Sequence, residues 1–164
     1  AGVVLGVEGP DARRVDPFGP GRLSSLLPDG VYRFATPPAE PALATLGWLM
    51  GAYAFRRYRK GPDRAARLMV PDGVDGPEVA RIAGAVALGR DLVNTPANDL
   101  LPDGLEAAAR ALAERHGATV AVTTGDELLA ANLPMIHAVG RASSVAPRLI
   151  DITHGPEGAP KVTI

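Results

Sequence analysis

The chain has 164 residues, of which 46% are hydrophobic and 21% charged, a balance that predicts a soluble globular protein and excludes a disordered chain or a membrane span. Its 17 basic and 18 acidic side chains give a formal charge of −1, which argues against a dedicated nucleic-acid binder. It contains no cysteine, which excludes a disulfide scaffold, a thiolate zinc site and a cysteine nucleophile, and which fits a cytoplasmic location.

Short apolar runs broken by glycine and proline fill the first forty residues. They predict a strand over residues 3–8, a loop over residues 16–21 and a strand over residues 31–34. The prolines at positions 37, 38 and 41 then predict a stiff connector. This part of the chain therefore predicts short strands joined by ordered loops.

Apolar residues at helical spacing predict a mostly buried helix over residues 43–59. Its last turn would hold four cations, which are favourable near the negative end of the helix dipole. The same cations, with Tyr53 and Tyr58 beside them, would alternatively form a patch that contacts phosphate groups. The near-neutral chain favours the first interpretation. The four cations are Arg56, Arg57, Arg59 and Lys60.

A strand over residues 67–70 and a turn-rich linker over residues 71–77 precede a second predicted helix, residues 78–93. That helix is apolar on nearly all sides, so we expect it to pack against more than one partner and to bridge two domains. Pro96 disfavours helical geometry at the residue before it and predicts the helix end. In the segment 94–98 we expect asparagine amides to bind loop backbone, a structural role favoured over contact with substrate.

The second half of the chain alternates helices and strands, which predicts an α/β fold. A third helix begins at Pro102 and ends before Gly117. Because the chain opens and closes on strand-like runs, we expect both ends to be cut from a larger protein. The remaining predicted elements are a strand over 119–123, a short helix over 126–132, and strands over 136–139, 149–153 and 161–164.

Residue patterns alone predict no catalytic, cofactor-binding or metal-binding residue. The histidines do not stand in a metal-binding helical frame, and no serine-hydrolase, Walker or dinucleotide motif follows a strand. We interpret His116 as a helix C-terminal residue and His137 and His154 as strand or strand-end residues. The carboxylates form no spaced catalytic set; they include Asp91, Asp99, Asp103, Asp126 and Glu127.

Four segments resemble the leucyl (cytosol) aminopeptidase family, the hexameric two-metal exopeptidases. Residues 89–99, G-R-D-L-V-N-T-P-A-N-D, are similar to the family stretch R-D-L-V-N-x-P-A-N-D. Residues 51–58, G-A-Y-A-F-R-R-Y, resemble its G-x-Y-x-F-x-x-Y helix. Residues 138–143, A-V-G-R-A-S, resemble its A-V-G-x-x-S strand end, and residues 147–150, P-R-L-I, the strand after it. The resemblance spans residues 43–164, while residues 1–41 match loosely.

The resemblance implies a parent enzyme that removes amino-terminal residues from peptides with two divalent ions, zinc, manganese or magnesium. In the family, the first lysine ligand lies in a V-G-K-G segment directly after a strand resembling residues 161–164. The resemblance therefore implies that every metal ligand and catalytic residue lies beyond Ile164, and that Lys161 is not the ligand. It further implies a cytoplasmic hexamer without membrane contact.

The predicted fold class is α/β, comprising a partial amino-terminal α/β domain, a bridging helix and the opening βαβ part of a catalytic domain. The corresponding ranges are 1–77, 78–93 and 94–164. One departure from the family is Leu101, which stands where a capping threonine usually precedes Pro102; we expect Asp103 to compensate in part. The alternative function is a non-catalytic assembly or DNA-binding module of the same family, with the net charge arguing against nucleic acid.

Overall fold

The computed structural model describes residues 2–6, 16–61 and 66–164, and the chain divides into two compact units, residues 1–94 and 95–164. Helices and strands occur in both units, so the predicted α/β class is confirmed. In the described part of the chain, no helix is long and apolar enough to cross a membrane.

The first unit contains a βαβ arrangement in which two short strands pair in parallel, with Val31 opposite Arg67. The strand predicted over residues 67–70 is confirmed in part, because the second of these strands runs over Ala66–Leu68 and residues 69 and 70 lie outside it. The predicted loop over residues 16–21 is wrong in part, because a 3₁₀ helix covers Gly19–Arg22 and leads into a short α-helix, Leu23–Leu26. The elements are α1 (Leu23–Leu26), β1 (Gly30–Tyr32), α2 (Pro41–Ala52), β2 (Ala66–Leu68) and α3 (Gly76–Asn94).

Glycines let the 3₁₀ helix lie directly on α2. A Cβ at Gly51 would stand 2.1 Å from the Gly21 carbonyl oxygen and 2.7 Å from the Ser24 hydroxyl oxygen. A Cβ at Gly47 would stand 2.8 Å from the Phe18 carbonyl oxygen. A side chain at either position would separate the two backbones, so the packing of the first unit requires glycine at both positions.

Helix α2 ends at Ala52, seven residues earlier than the prediction over 43–59. Tyr53 has extended backbone angles, φ −62° and ψ 135°, and its side chain binds α3 as described below. The apolar periodicity continued through Tyr53 and Phe55, but the helix ends at Ala52 and the Tyr53 side chain contacts α3 from outside it. The placement of residues 56–60 in a helical last turn is therefore wrong.

Helix α3 confirms the prediction over residues 78–93 and is slightly longer. It begins at Gly76 because the Asp75 carboxylate accepts a hydrogen bond from the Glu78 backbone N–H at 3.0 Å, which satisfies an N-terminal donor. It ends at Asn94, before Pro96, as predicted. Val79 is its buried residue, while Val86 and Val93 are 37% and 85% exposed.

The second unit packs helices against an antiparallel pair of strands in which Ala121 lies opposite Asp151. The strands predicted over 119–123 and 149–153 are confirmed. Their antiparallel direction differs from the predicted βαβ part, because a βαβ unit ordinarily joins parallel strands. Leu128 is fully buried and Ala113 nearly so. The elements are α4 (Pro102–His116), β3 (Thr119–Thr124), α5 (Glu127–Ala130), α6 (Pro134–Gly140) and β4 (Arg148–Thr153).

Three predicted strands are not strands. Residues 136–139 lie in α6, because Pro134 at the first helical position suits a helix start. Residues 161–164 have no regular structure and are exposed. Residues 2–6 also have no regular structure, and Val4 is 95% exposed; the rest of that predicted strand, residues 7 and 8, lies outside the described residues.

Candidate functional site

A polar cluster in the first unit joins two of the segments that carry the family resemblance. We call Tyr53, Arg90, Asp91 and Asn94 the Tyr53 cluster. The Tyr53 hydroxyl donates a 2.6 Å hydrogen bond to Asp91 Oδ1 and accepts one from Asn94 Nδ2 at 3.2 Å. These contacts cross 38 and 41 positions of sequence, so they fix the segment after α2 against the last turns of α3.

Arg90 adds two further contacts to this cluster. Its guanidinium carbon lies 3.8 Å from the centroid of the Tyr53 ring, a cation–π contact. Its Nη1 donates a 3.0 Å hydrogen bond to the Met50 carbonyl oxygen in the last turn of α2. Carbonyl groups at a helix C-terminus lack helical partners, and a cation there is favourable. A cation that serves the end of α2 is thus supplied by α3.

The cluster holds the phenol of Tyr53 in its neutral form. Burial raises the pKa of Tyr53, and the hydrogen bond to Asp91 raises that pKa further, against smaller lowering effects of Asn94 and Arg90. A neutral hydroxyl both donates to the carboxylate and accepts from the amide. The asparagine amides of residues 94–98 were expected to bind loop backbone; the Asn94 amide donates to the Tyr53 side chain instead, so the expected partner is wrong at Asn94. The contacts of the cluster link the end of α2 to α3.

The basic segment, residues 56–60, is exposed throughout. Tyr58 packs edge-on against Phe55, with ring centroids 5.8 Å apart, and Arg57 lies 5.7 Å from the Tyr58 centroid. Tyr58 is 54% exposed, whereas Tyr53 contacts α3. The segment presents cations and an aromatic ring to solvent.

The start of α4 shows how the departure at Leu101 is accommodated. Leu101 has extended backbone angles and makes no side-chain cap. The Asp103 carboxylate accepts a 2.9 Å hydrogen bond from the Gly104 backbone N–H. This satisfies one of the free donors of the first turn, and Asp103 is the acidic residue of that turn.

An apolar groove with a volume of about 650 Å³ opens in the second unit. No pattern in the sequence indicated it, because its residues come from α4, α6, β4 and the loops before α4 and β4. Met135 and Val139, one helical turn apart on α6, are 74% and 80% exposed, and Leu105 of α4 is 46% exposed. Its other lining residues are Leu100, Leu101, Pro102, Ile136, Gly140, Pro147, Arg148 and Ile150.

The charged residue that lines the groove is paired with α4. Arg148 forms an ion pair with Glu106, and their side chains are only 12% and 17% exposed. Glu106 also accepts a 2.7 Å hydrogen bond from Arg110 Nε. Hydrogen bonds from Arg110 and then Arg148 lower the pKa of Glu106 below its ordinary value of 4.5. The carboxylate is therefore ionised at neutral pH and neutralises the guanidinium beside the groove.

The histidines lie apart from one another in the fold. His116 ends α4, as interpreted from the sequence, and His154 directly follows β4. His137 lies in α6 rather than in a strand, and its Nε2 is 3.3 Å from Asp126 Oδ1. Among residues 2–6, 16–61 and 66–164, no three His, Cys, Asp or Glu side chains cluster closely enough to hold a metal ion.

Comparison with protein families gives two matches in order along the chain. The profile described as "M17 aminopeptidase, N-terminal domain" matches residues 1–71. The profile described as "Cytosol aminopeptidase family, catalytic domain" matches residues 87–164. A probable cytosol aminopeptidase from Nitratidesulfovibrio vulgaris is 40% identical over 128 residues, covering 68% of this chain and 25% of the relative. The chain spans between 25% and 32% of the length of the curated relatives it matches.

Solved structures of the same kind are similar to this chain. The cytosol aminopeptidase of Coxiella burnetii matches with a TM-score of 0.78 and 33% identity, over 88% of this chain and 32% of that one. The bottromycin maturation enzyme BotP, in complex with Mn, matches with a TM-score of 0.71 and 25% identity, over 93% of this chain and 40% of that one.

Proposed function

Because the chain belongs to the M17 cytosol aminopeptidase family, we propose that it is the amino-terminal part of a metal-dependent leucyl-type aminopeptidase. The observation that carries the proposal is the order of the two family matches, amino-terminal domain and then catalytic domain, in one chain. The parent enzyme removes amino-terminal residues from peptides. In this assignment α3 bridges the two domains.

The described residues do not fit a two-metal centre. They offer no cluster of three metal-ligating side chains, and Lys161 lies exposed in the irregular last segment. The proposal therefore assigns the metal ligands and the catalytic residues to polypeptide beyond Ile164. A matching enzyme described in complex with Mn supports a divalent metal for the parent, and carboxylate ligands are compatible with manganese, magnesium and zinc.

The contribution of this chain is structural. The Tyr53 cluster fixes the end of α2 on α3, and the segment matched by the catalytic-domain profile begins within α3, at residue 87. We further propose a cytoplasmic, homohexameric parent protein. The word "cytosol" in the names of the relatives supports this location.

The proposal is tested with a chimera in which residues 1–164 are joined to the part of the N. vulgaris relative that this chain does not cover. With Mn²⁺ we expect the chimera to hydrolyse leucyl amide, and the relative's part without this chain to be inactive. A chimera that folds, by circular dichroism, but hydrolyses no aminoacyl amide with Mn²⁺, Zn²⁺ or Mg²⁺ contradicts the proposal.

The second candidate is a non-catalytic assembly or DNA-binding module. The exposure of residues 56–60 favours the DNA-binding form, because these cations lie beyond the end of α2 and face solvent. Binding would show as retardation of duplex DNA at low salt that is lost when Arg56, Arg57, Arg59 and Lys60 become alanine. We expect no retardation, in keeping with the charge of −1.

A further inference from the structure

The apolar groove of the second unit presents side chains that folded proteins normally cover. Met135 and Val139 are 74% and 80% exposed, and they lie beside Leu105, which is 46% exposed. Single exposed apolar residues are ordinary, but a contiguous apolar concavity marks a surface with a partner. These residues line one groove with a volume of about 650 Å³, and this is the first observation that points to an occupant.

The electrostatics of the groove indicate what kind of occupant it accepts. Arg148, the charged lining residue, is already neutralised by Glu106, which Arg110 also binds. An anionic ligand would have to compete with this carboxylate for the guanidinium. The groove therefore favours apolar side chains over a phosphate or a carboxylate.

The size of the sheet next to the groove points in the same direction. Strands β3 and β4 form a two-stranded sheet in the described residues, and an isolated two-stranded sheet is at best marginally stable. The chain also spans only 25% to 32% of the length of its curated relatives. Those proteins therefore contain additional polypeptide that is two to three times as long as the part matched by this chain. A layer from that polypeptide would cover the groove and extend the packing around the sheet.

We propose that the groove is the docking surface for the polypeptide that completes the catalytic domain in the aminopeptidase relatives. The inference rests on the proposed function and names the surface through which this chain joins the rest of the enzyme. Met135 and Val139 are the anchor positions, because α6 presents both to the groove with the largest exposed fractions among its lining residues.

Cysteine reactivity tests the proposal directly, because the chain has no cysteine of its own. A single cysteine is introduced as Val139→Cys, with Leu129→Cys as the matched control; Leu129 is 49% exposed on α5 and does not line the groove. Each variant is labelled with a maleimide in the 1–164 chain and in the chimera with the N. vulgaris part, whose own cysteines are replaced by serine. We expect Val139→Cys to react at least about 100-fold more slowly in the chimera, since a covered thiol reacts through local opening.

Equal reactivity of Val139→Cys in the two proteins would overturn the proposal, and would point to a small-molecule pocket or a different partner. Equal protection of both cysteines would also overturn it, because the burial would not be specific to the groove. A second variant, Val139→Asp, should leave the melting temperature of the 1–164 chain unchanged and lower that of the chimera. These readouts do not depend on activity. A chimera in which the cysteine at position 139 is protected but which is inactive would contradict the proposed function and would still support the docking surface.

Discussion

The Tyr53 cluster of the first unit and the apolar groove of the second are both built from segments that resemble the same family, yet their side chains are used differently. In the cluster, Tyr53, Arg90, Asp91 and Asn94 all contact one another or the end of α2. In the groove, Val139 is 80% exposed. The difference teaches that the most recognisable motif makes contacts within this chain, whereas we propose that the groove residues are covered by further polypeptide.

The largest expected effect comes from the close packing that supports the Tyr53 cluster. Gly51→Ala would place a Cβ 2.1 Å from the Gly21 carbonyl oxygen, which is backbone and cannot rotate away. We expect a loss of about 3 kcal/mol in the free energy of unfolding, the upper range for overpacking. Chemical denaturation followed by the fluorescence of Trp48, which lies on the same helix, measures it.

Gly84→Ala is the matched control, because it is in the interior of α3 and its Cβ would meet nothing within 4 Å. We expect it to stabilise the chain by about 0.5–1 kcal/mol, since alanine favours a helix over glycine. Equal effects of the two substitutions would show that the 3₁₀ helix does not lie on α2 as described.

A smaller effect is expected from breaking the cluster itself. Tyr53→Phe removes the hydroxyl that donates to Asp91 and accepts from Asn94, and should lower the melting temperature by a few degrees. A double-mutant cycle with Asp91→Asn measures the coupling. If the effects of the two substitutions on the free energy of unfolding are additive, the hydroxyl and the carboxylate do not stabilise each other.

The ion pair beside the groove predicts a pH dependence. The folded-state pKa of Glu106 lies below its ordinary value of 4.5, so its stabilisation is complete above that pH and is lost as the pH falls through the folded-state pKa. Glu106→Gln should therefore reduce the loss of stability between neutral pH and the region below pH 4.5. Thermal melts across that range measure this, with Glu114→Gln, an exposed position on the same helix, as the control. A pH dependence unchanged by Glu106→Gln would contradict the assignment.

Some helices and strands of the two units could be predicted from the sequence. The long helices α3 and α4 were predictable, because helical periodicity coincides with a proline start at Pro102 or a proline stop at Pro96. The strand expected over residues 136–139 was wrong because a short apolar run fits either structure, and Pro134 favours the helix. An Asp75 to Glu78 spacing of three residues is the signal that could have placed the start of α3.

The Tyr53 cluster and the apolar groove were less accessible to prediction. Tyr53 and Asp91 lie in segments that the family resemblance identified, but a contact across 38 positions depends on how α2 packs on α3. The groove combines residues of α4, α6 and β4, and no local spacing brings them together. Tertiary packing, rather than local propensity, determines both.

The central claim is that this chain supplies structure to an aminopeptidase whose chemistry lies elsewhere in the polypeptide. The most direct measurement is leucyl-amide hydrolysis by purified 1–164, titrated with Mn²⁺ and followed beside a buffer control. We predict no turnover above the control at any Mn²⁺ concentration, because the described residues offer no cluster that holds a metal. Turnover that depends on Mn²⁺ and on the folded chain would contradict the account.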